Sequence, residues 1–231
     1  ANLGGAGGFS FGMREAVERG FDLAWVMDDD CMANPDSLAA LLQAAEGLEG
    51  GFGWLSSVAR WKDGSPCRMN IQRHPLFRDI EDFSPAVQPA TLASFVSLLV
   101  PVPVIRRFGL PIKEFFIWTD DWEFTRRVSR ELPCYVVGGS VVTHASATNN
   151  PGNIMTDGPD RLDRYELVYR NDVVLYRGEG LRGWAYVVAR GLYHTVGVLR
   201  CQQPQKARRI SIIWRSTLRG IGFRPPIEHV G

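Results

Sequence analysis

The chain has 231 residues, of which 45% are hydrophobic and 22% charged, and its formal net charge is +1. This composition is typical of a globular protein with one sizeable core, and it excludes a disordered or strongly polyionic chain. The four cysteines lie far apart without a Cys-X-X-Cys pair, which excludes a zinc ribbon and a dense disulfide framework. No apolar run reaches the ~18 residues of a membrane span and no signal peptide opens the chain, so we expect a cytoplasmic protein.

The first predicted element is a glycine-rich turn, GGAGG at residues 4–8, followed by an amphipathic helix over residues 9–19. The turn either binds phosphate or forms a flexible start of the helix. It lacks the third glycine of GxGxxG and the Lys-Ser/Thr of a P-loop. Because a strand normally leads into such a turn, we expect the first strands of the sheet to precede residue 1.

Residues 23–27, LAWVM, form a short apolar run that is typical of a central strand buried on both faces. Asp28, Asp29 and Asp30 follow it directly. Three adjacent carboxylates at the end of a buried parallel strand repel one another and lose hydration, a cost that a divalent cation would offset. The alternative is a solvated acidic turn before the helix predicted over residues 34–45.

A further strand is predicted over residues 51–60, and residues 61–90 show little periodicity. That connection is long for a structureless loop, so it is a candidate for a substrate lid or for an irregular excursion. Residues 91–104 predict a strand that enters a turn. A short helical turn follows and ends at Gly109.

The stretch FFIWTDDWEF, residues 115–124, places Asp120 and Asp121 at the start of a predicted helix. The helix dipole favours acidic residues in a first turn, which accounts for one acid. It does not account for two adjacent acids and Glu123 among tryptophans, because desolvation by aromatic rings raises the pKa of a carboxylate and makes it a better proton acceptor. We therefore interpret this pair as containing a general base.

A β-rich segment over residues 134–143 ends at His144. This histidine is either a satisfied polar residue or a nitrogen ligand, which beside an Asp pair would suit Mn²⁺ as well as Mg²⁺. A loop rich in Asn, Gly and Pro follows over residues 149–159 and could close over a site. Two helical patterns then cover residues 162–177 and 183–200.

The C-terminal part is strongly basic: from Arg177 onward, ten Lys and Arg residues stand against Glu179 and Glu228 alone. Such a segment binds an anionic membrane surface or a phosphorylated lipid, or it is a solvated helical face. No recognised nucleic-acid-binding motif accompanies the charge, so we expect no nucleic acid partner.

Five segments together resemble the family 2 glycosyltransferases of the GT-A fold, especially the bacterial galactofuranosyl- and rhamnosyltransferase branch. They are, in order, NLGGAGGF, WVMDDD, VIRRFGLPIKEFFIWTDDWEFTRRV, VVTHAS and RYELVYRN. The resemblance spans most of residues 2–177. It implies an α/β fold, a Rossmann-like mixed sheet flanked by helices and truncated at its N-terminus. It also implies a catalytic domain over residues 1–177 and a basic, amphipathic helical region over residues 178–231.

The resemblance implies a donor site. The acidic triplet would supply the DxD element, in which Asp28 and Asp30 hold Mg²⁺ or Mn²⁺ against the diphosphate of a nucleotide sugar, with His144 as the third ligand. Residues implied to line the donor pocket are Gly4, Gly5, Gly7, Gly8, Phe9 and Asp29.

The resemblance also implies an acceptor site. In the DDxE element Asp121 would be the general base that removes the proton of the acceptor hydroxyl, with inversion at the anomeric carbon. Asp120 and Glu123 would orient the acceptor or the base, and Trp118 and Trp122 would stack on a sugar ring.

The implied partners are a UDP- or dTDP-linked sugar, carrying galactofuranose or rhamnose, and a glycan or lipid-linked acceptor of the cell envelope. Thr119 departs from the acidic or aromatic residue often found before the acidic pair, which leaves the sugar open. We also expect peripheral contact with the inner face of the cell membrane, and a homo-oligomer. The alternatives are a sugar nucleotidyltransferase and a non-catalytic carbohydrate- or Ca²⁺-binding module.

Overall fold

The computed structural model describes residues 2–231, which form two compact units, each made of several chain segments. The larger unit comprises Phe9–Pro111, Phe124–Pro151 and Ile227–Gly231. The smaller unit comprises the N-terminal stretch that ends at Gly8, Ile112–Glu123 and Gly152–Pro226. The expected boundary between functional domains after residue 177 stays a prediction.

The described residues contain seven α-helices and six strands. The helices are α1 Gly4–Glu18, α2 Ser37–Gly47, α3 Val102–Phe108, α4 Asp120–Ser129, α5 Leu162–Arg177, α6 Gly180–Arg200 and α7 Lys206–Gly222. The strands are β1 Leu23–Val26, β2 Cys31–Ala33, β3 Leu55–Trp61, β4 Val87–Pro89, β5 Leu98–Pro101 and β6 Tyr135–His144. Within residues 2–231, none of the helices has the length and apolar character that crossing a membrane requires.

The larger unit contains a mixed sheet with strand order β1-β5-β3-β6-β2, in which β4 also pairs with β6. Only the pairing of β3 with β6 is parallel, and the other pairings within the described chain are antiparallel. The expected class, an α/β protein with a mixed sheet and flanking helices, is confirmed.

The apolar run at residues 23–27 does form a strand, β1, but among the described residues it lies at the edge of the sheet and not in the predicted central position. Among the described residues β1 pairs only with β5, antiparallel, and it ends the sheet. Ala24 and Val26 join the core cluster that includes Met13, while Leu23 and Trp25 pack in the cluster around Leu41 of α2. An unbroken apolar run indicates that other residues cover both faces of a strand. It does not indicate whether both edges of the strand pair with other strands.

The long connection at residues 61–90 contains little regular structure, as predicted, although β4 at its end was not foreseen. Its middle is anchored in the core, because the buried Gln72 amide donates to Ser56 Oγ at 2.8 Å and to the Ser57 carbonyl at 2.7 Å. A fully buried amide with both bonds made holds the chain firmly. This favours the irregular excursion over a lid around Gln72.

The smaller unit contains α5, α6 and α7, which pack on one another around a cluster that includes Tyr165, Tyr169, Val198, Ile212 and Ile213. The helical periodicity of residues 162–177 predicted α5, and its bounds are confirmed. The helical character of the C-terminal region is confirmed as well.

Arg209 shows that the basic segment is not a uniformly solvated face. This side chain is fully buried and donates to the carbonyl oxygens of Pro204, Ile154 and Asp157 at 2.9, 2.6 and 2.9 Å. A buried guanidinium needs such acceptors to offset its lost hydration.

Candidate functional site

The acidic triplet meets His144 through the register of two strands. β2 pairs with β6 so that Cys31 lies opposite His144, and the Ala145 amide donates to the Asp30 carbonyl at 2.8 Å. Asp28, Asp30 and His144 each present a ligand atom, and these atoms lie within 4.8 Å of one another. The antiparallel pairing therefore gathers two carboxylates and one imidazole at one end of the sheet.

Both ring nitrogens of His144 face acceptors. Its Nε2 lies 3.0 Å from Asp30 Oδ1, and its Nδ1 lies 2.9 Å from Asn70 Oδ1. When Nδ1 carries the proton and donates to Asn70, the Nε2 lone pair points toward the carboxylates. Metal-ligating histidines are oriented in this manner, with the second ring nitrogen donating to a fixed oxygen.

Asn70 is itself held in place, and sequence reasoning missed it. Its Oδ1 also accepts from the Cys67 thiol at 3.1 Å, while its Nδ2 donates to Ser94 Oγ at 3.1 Å. Asn70 lies in a short helical turn inside the irregular connection. No local pattern identifies an asparagine whose partner is 74 residues away in sequence.

The charge balance of the cluster favours a bound cation. Burial raises the pKa of Asp28, and the nearby carboxylates of Asp30 and Asp29 raise it further, against the opposing effect of His144. A divalent cation would relieve that repulsion.

The cysteines beside this cluster are not predicted ligands. Burial and the charges of Asp28 and Asp30 raise the pKa of Cys31 to about 12, and burial raises the pKa of Cys67. Both therefore remain neutral thiols near neutral pH.

The residues present fit the expected metal. Two hard carboxylate oxygens and one borderline imidazole nitrogen form a donor set that suits Mn²⁺ as well as Mg²⁺. Asp29 is exposed and does not belong to the three-residue cluster. Its expected role in donor binding stays a prediction, as do the ligand roles of the other three.

The acidic pair opens helix α4, as predicted. Asp120 and Glu123 are 6% and 8% exposed, whereas Asp121 is half-buried. Phe124 and Val128 on the same helix are fully buried and form its inward face, whereas Trp122 is half-buried. Of the three acids, Asp121 is the most exposed, and its Oδ1 accepts from the Trp122 amide at 2.7 Å.

The turn before this helix has an unusual backbone. Phe116, Trp118 and Thr119 have φ angles of 66°, 67° and 70°, a region that residues other than glycine rarely adopt. Such conformations cost about 1–3 kcal/mol each and persist only where the surroundings enforce them. A β-branched residue such as Thr119 is especially disfavoured there.

Asn171 of α5 enforces this turn. Its buried side-chain amide donates to the carbonyl oxygens of Phe115, Ile117 and Trp118 at 3.1, 3.3 and 3.0 Å. The neighbouring Arg170 donates to the Glu114 carbonyl at 2.8 Å. Residues from the RYELVYRN segment thus fix the chain that leads into the acidic pair.

Thr119 is tied to α5 by its hydroxyl, which donates to Asp172 Oδ1 at 2.8 Å. The second oxygen of Asp172 accepts from Arg190 of α6. This arrangement gives the departure of Thr119 from the family pattern a structural explanation, because a hydroxyl at this position satisfies a buried carboxylate.

The predicted glycine turn is wrong, because helix α1 already begins at Gly4. Gly4 has φ +67°, and a Cβ there would lie 2.1 Å from the Phe116 carbonyl oxygen, so only glycine fits beside the strained turn. At Gly5 and Gly8 a Cβ would meet nothing within 4 Å, and both residues are exposed. The donor-binding roles of Gly4, Gly5, Gly7, Gly8 and Phe9 stay predictions.

The two tryptophans flank the acidic pair in different surroundings. Trp118 is half-buried and packs on Tyr165, with ring centroids 5.4 Å apart. Trp122 is half-buried on the first turn of α4. The stacking of a sugar on either ring stays a prediction.

No family model matches the chain. Relatives of known name match nearly all of it. The galactofuranosyltransferase GlfT1 of Mycolicibacterium smegmatis is 25% identical over 236 residues, 90% of this chain and 78% of the relative. GlfT1 of Mycobacterium tuberculosis is 27% identical over 241 residues, 89% of this chain and 76% of the relative.

Solved structures show a weaker likeness. GalNAc-T7, in a crystal structure with UDP, GalNAc and Mn²⁺, has a TM-score of 0.45 and 14% identity over 71% of this chain and 35% of its own. Staphylococcus aureus TarS has a TM-score of 0.40 and 13% identity over 91% of this chain and 50% of its own.

The similarity to the two galactofuranosyltransferases extends well beyond the five short segments that first indicated it, since it covers about nine tenths of the chain. The chain is therefore similar to galactofuranosyltransferases along most of its length, and this similarity supports a glycosyltransferase.

Proposed function

We propose that this GT-A-like transferase moves galactofuranose from a UDP-linked donor to a glycan or lipid-linked acceptor, with inversion and with dependence on a divalent cation. The observation that carries the proposal is the cluster of Asp28, Asp30 and His144 in a chain similar to two galactofuranosyltransferases. The glycosyltransferase class replaces the two alternatives, a nucleotidyltransferase and a non-catalytic binding module. Rhamnose from a dTDP-linked donor remains the second candidate, on the resemblance alone.

The donor end of the reaction is assigned to the cluster. Asp28, Asp30 and His144 would hold Mg²⁺ or Mn²⁺, which when bound neutralises charge on the departing diphosphate. Asn70 keeps the His144 ring turned with Nε2 toward the carboxylates. Asp29, exposed beside them, is assigned to donor contact.

The acceptor end is assigned to the first turn of α4. Asp121 would take the proton from the attacking hydroxyl because it is the most accessible of the three acids. Asp120 and Glu123 are buried and would orient the base or the acceptor. Trp118 and Trp122 would offer apolar ring faces to a sugar.

The proposal is tested by assaying transfer to a galactose-containing acceptor from UDP-galactofuranose, UDP-galactopyranose and dTDP-rhamnose, with Mn²⁺ and with excess chelator. Transfer from UDP-galactofuranose that stops with chelator supports it. A preference for dTDP-rhamnose overturns the sugar assignment, and transfer that persists in chelator overturns the metal dependence. The expected homo-oligomer stays a prediction, which sedimentation velocity would check.

A further inference from the structure

Helix α6 has apolar residues on two opposite faces. One face packs inside the smaller unit through Gly183, Val187, Gly191 and Val198, which are buried. Gly191 accommodates the ring of Trp214 from α7, whose Nε1 donates to Thr195 Oγ1 at 3.1 Å. These contacts account for one face only. A second apolar face on the same helix is stable when a further apolar environment covers it.

The second face is an exposed stripe, defined here by Leu181, Val188, Leu192, Val196 and Leu199. Their exposed fractions range from 44% to 89%. The spacing of seven, four, four and three residues places them along one line of the helix, and the exposed Ala185 lies between the first two. The stripe therefore runs the length of α6. Leu218 and Ile221 of α7 are also exposed, at 64% and 44%.

Basic residues dominate the sequence that contains the stripe, although Glu179 precedes α6 directly and Arg208 and Arg219 pair with Asp163 and Glu166. From residue 180 to residue 227 the sequence contains nine Lys and Arg residues and no Asp or Glu. Arg190 and Arg209 serve the fold, through Asp172 and through buried carbonyl oxygens. Arg182 and Arg200 are exposed and follow Leu181 and Leu199 directly, so each is about 100° around the helix from the stripe.

An exposed apolar line bordered by arginines suits the boundary between lipid headgroups and acyl chains. The leucine and valine side chains would enter the acyl region while the guanidinium groups meet phosphates. Among the described residues no helix can cross a membrane, so α6 would lie in the plane of the surface. A segment without acidic side chains is complementary to an anionic surface, and each basic residue near it contributes about 1 kcal/mol of attraction.

We propose that the stripe of α6 docks this transferase on an anionic phospholipid surface. This inference deepens the proposed function, since it supplies a reason for a lipid-linked acceptor, but it does not need catalysis to be tested. The competing occupant of the stripe is a second copy of the chain.

The test is flotation of the full chain with vesicles of pure phosphatidylcholine and of equimolar phosphatidylcholine and phosphatidylglycerol. The test variant is Leu192→Gln with Leu199→Gln. The matched control is Leu38→Gln with Leu42→Gln, because these leucines are 40% and 37% exposed on α2. A second variant, Arg182→Gln with Arg200→Gln, tests the charge.

We expect binding to the anionic vesicles only, roughly tenfold weaker in the stripe variant and unchanged in the control. The arginine variant should also bind more weakly, and wild-type binding should fall as salt rises. Equal binding by the stripe variant and the wild type overturns the proposal. A stripe variant that turns an oligomer into a monomer, with no wild-type flotation, assigns the face to self-association instead.

Failure of this inference is distinct from failure of the proposed function. If the stripe does not contribute to vesicle binding, transfer of the sugar to a water-soluble acceptor is still expected. If transfer is absent from every donor, vesicle binding by α6 still stands on its own measurement.

Discussion

His144 Nδ1 lies 2.9 Å from Oδ1 of Asn70, a residue from the irregular connection between β3 and β4. This bond fixes the ring so that Nε2 faces Asp30. Removing the acceptor leaves the ring free to turn, and such losses typically weaken metal binding about 10- to 100-fold. We therefore predict that Asn70→Ala weakens Mn²⁺ binding by about that factor, as measured by calorimetry.

Asn70→Asp is the matched control for that variant, since a carboxylate oxygen still accepts from Nδ1. It should bind Mn²⁺ at least as well as the wild type. If Asn70→Ala binds Mn²⁺ with unchanged affinity, His144 is not oriented as described.

The accessibility of Asp121 leads to a second prediction. Asp121→Asn removes the proton acceptor and should lower the rate of transfer roughly 10²- to 10⁴-fold. Binding of UDP with Mn²⁺ should change less than about twofold, because the first-turn acid is assigned to the acceptor rather than the donor. Asp163→Asn, an exposed acid on α5, is the control and should transfer normally. Full activity of Asp121→Asn would show that another group takes the proton.

The amide of Asn171 supports a third prediction, about stability. Asn171→Ala leaves three carbonyl oxygens of a strained turn without their hydrogen-bond donor. We therefore expect the free energy of unfolding to fall by about 2–4 kcal/mol in urea denaturation. Asn171→Asp has the same shape but replaces the donor with an acceptor, and it should be less stable still. An Asp variant as stable as the wild type would mean that these bonds do not hold the turn.

His194 supports a prediction of pH dependence. Burial and the nearby Arg190 lower the pKa of His194 to about 4, and its Nδ1 lies 2.7 Å from the Tyr169 hydroxyl, which donates to the neutral ring. The folded state therefore binds fewer protons than the unfolded state, in which the pKa of a histidine is about 6.5. The stability contribution is complete above about pH 6.5 and is lost as the pH falls toward 4.

His194→Asn keeps an acceptor for Tyr169 but does not titrate. In urea denaturation between pH 7 and 4.5, the wild type should lose more stability than the variant, by up to about 1.4 kcal/mol for each pH unit. If the free energy of unfolding falls equally with pH in the two proteins, His194 is not the source of the pH dependence.

Sequence patterns predicted the elements whose signal is local. The periodicity of residues 162–177 identified α5, and the acidic pair identified the start of α4. Asp28, Asp30 and His144 were also chosen from the sequence, through the resemblance, and the β2–β6 register brings them together.

Long-range partners could not be read in this way. The edge position of β1 depends on which strand pairs with it, and its apolar run reports covered faces only. Asn70 and Asn171 look like ordinary polar residues in the sequence. Their importance lies in bonds to His144 and to the turn at residues 115–118, which only the folded chain reveals. Glycine is likewise required at position 4 by a contact that is distant in sequence, because a Cβ there would clash with the carbonyl oxygen of Phe116.

The measurement that tests the central claim most directly is calorimetric titration of the full chain with UDP and with dTDP, each with and without Mn²⁺. We predict that UDP binds with Mn²⁺ present and binds at least tenfold more weakly in its absence, because we assign to Asp28, Asp30 and His144 a cation that would neutralise the diphosphate. A preference for dTDP would move the donor assignment to rhamnose. Binding of neither nucleotide, or UDP binding that is indifferent to Mn²⁺, would contradict the proposed donor site.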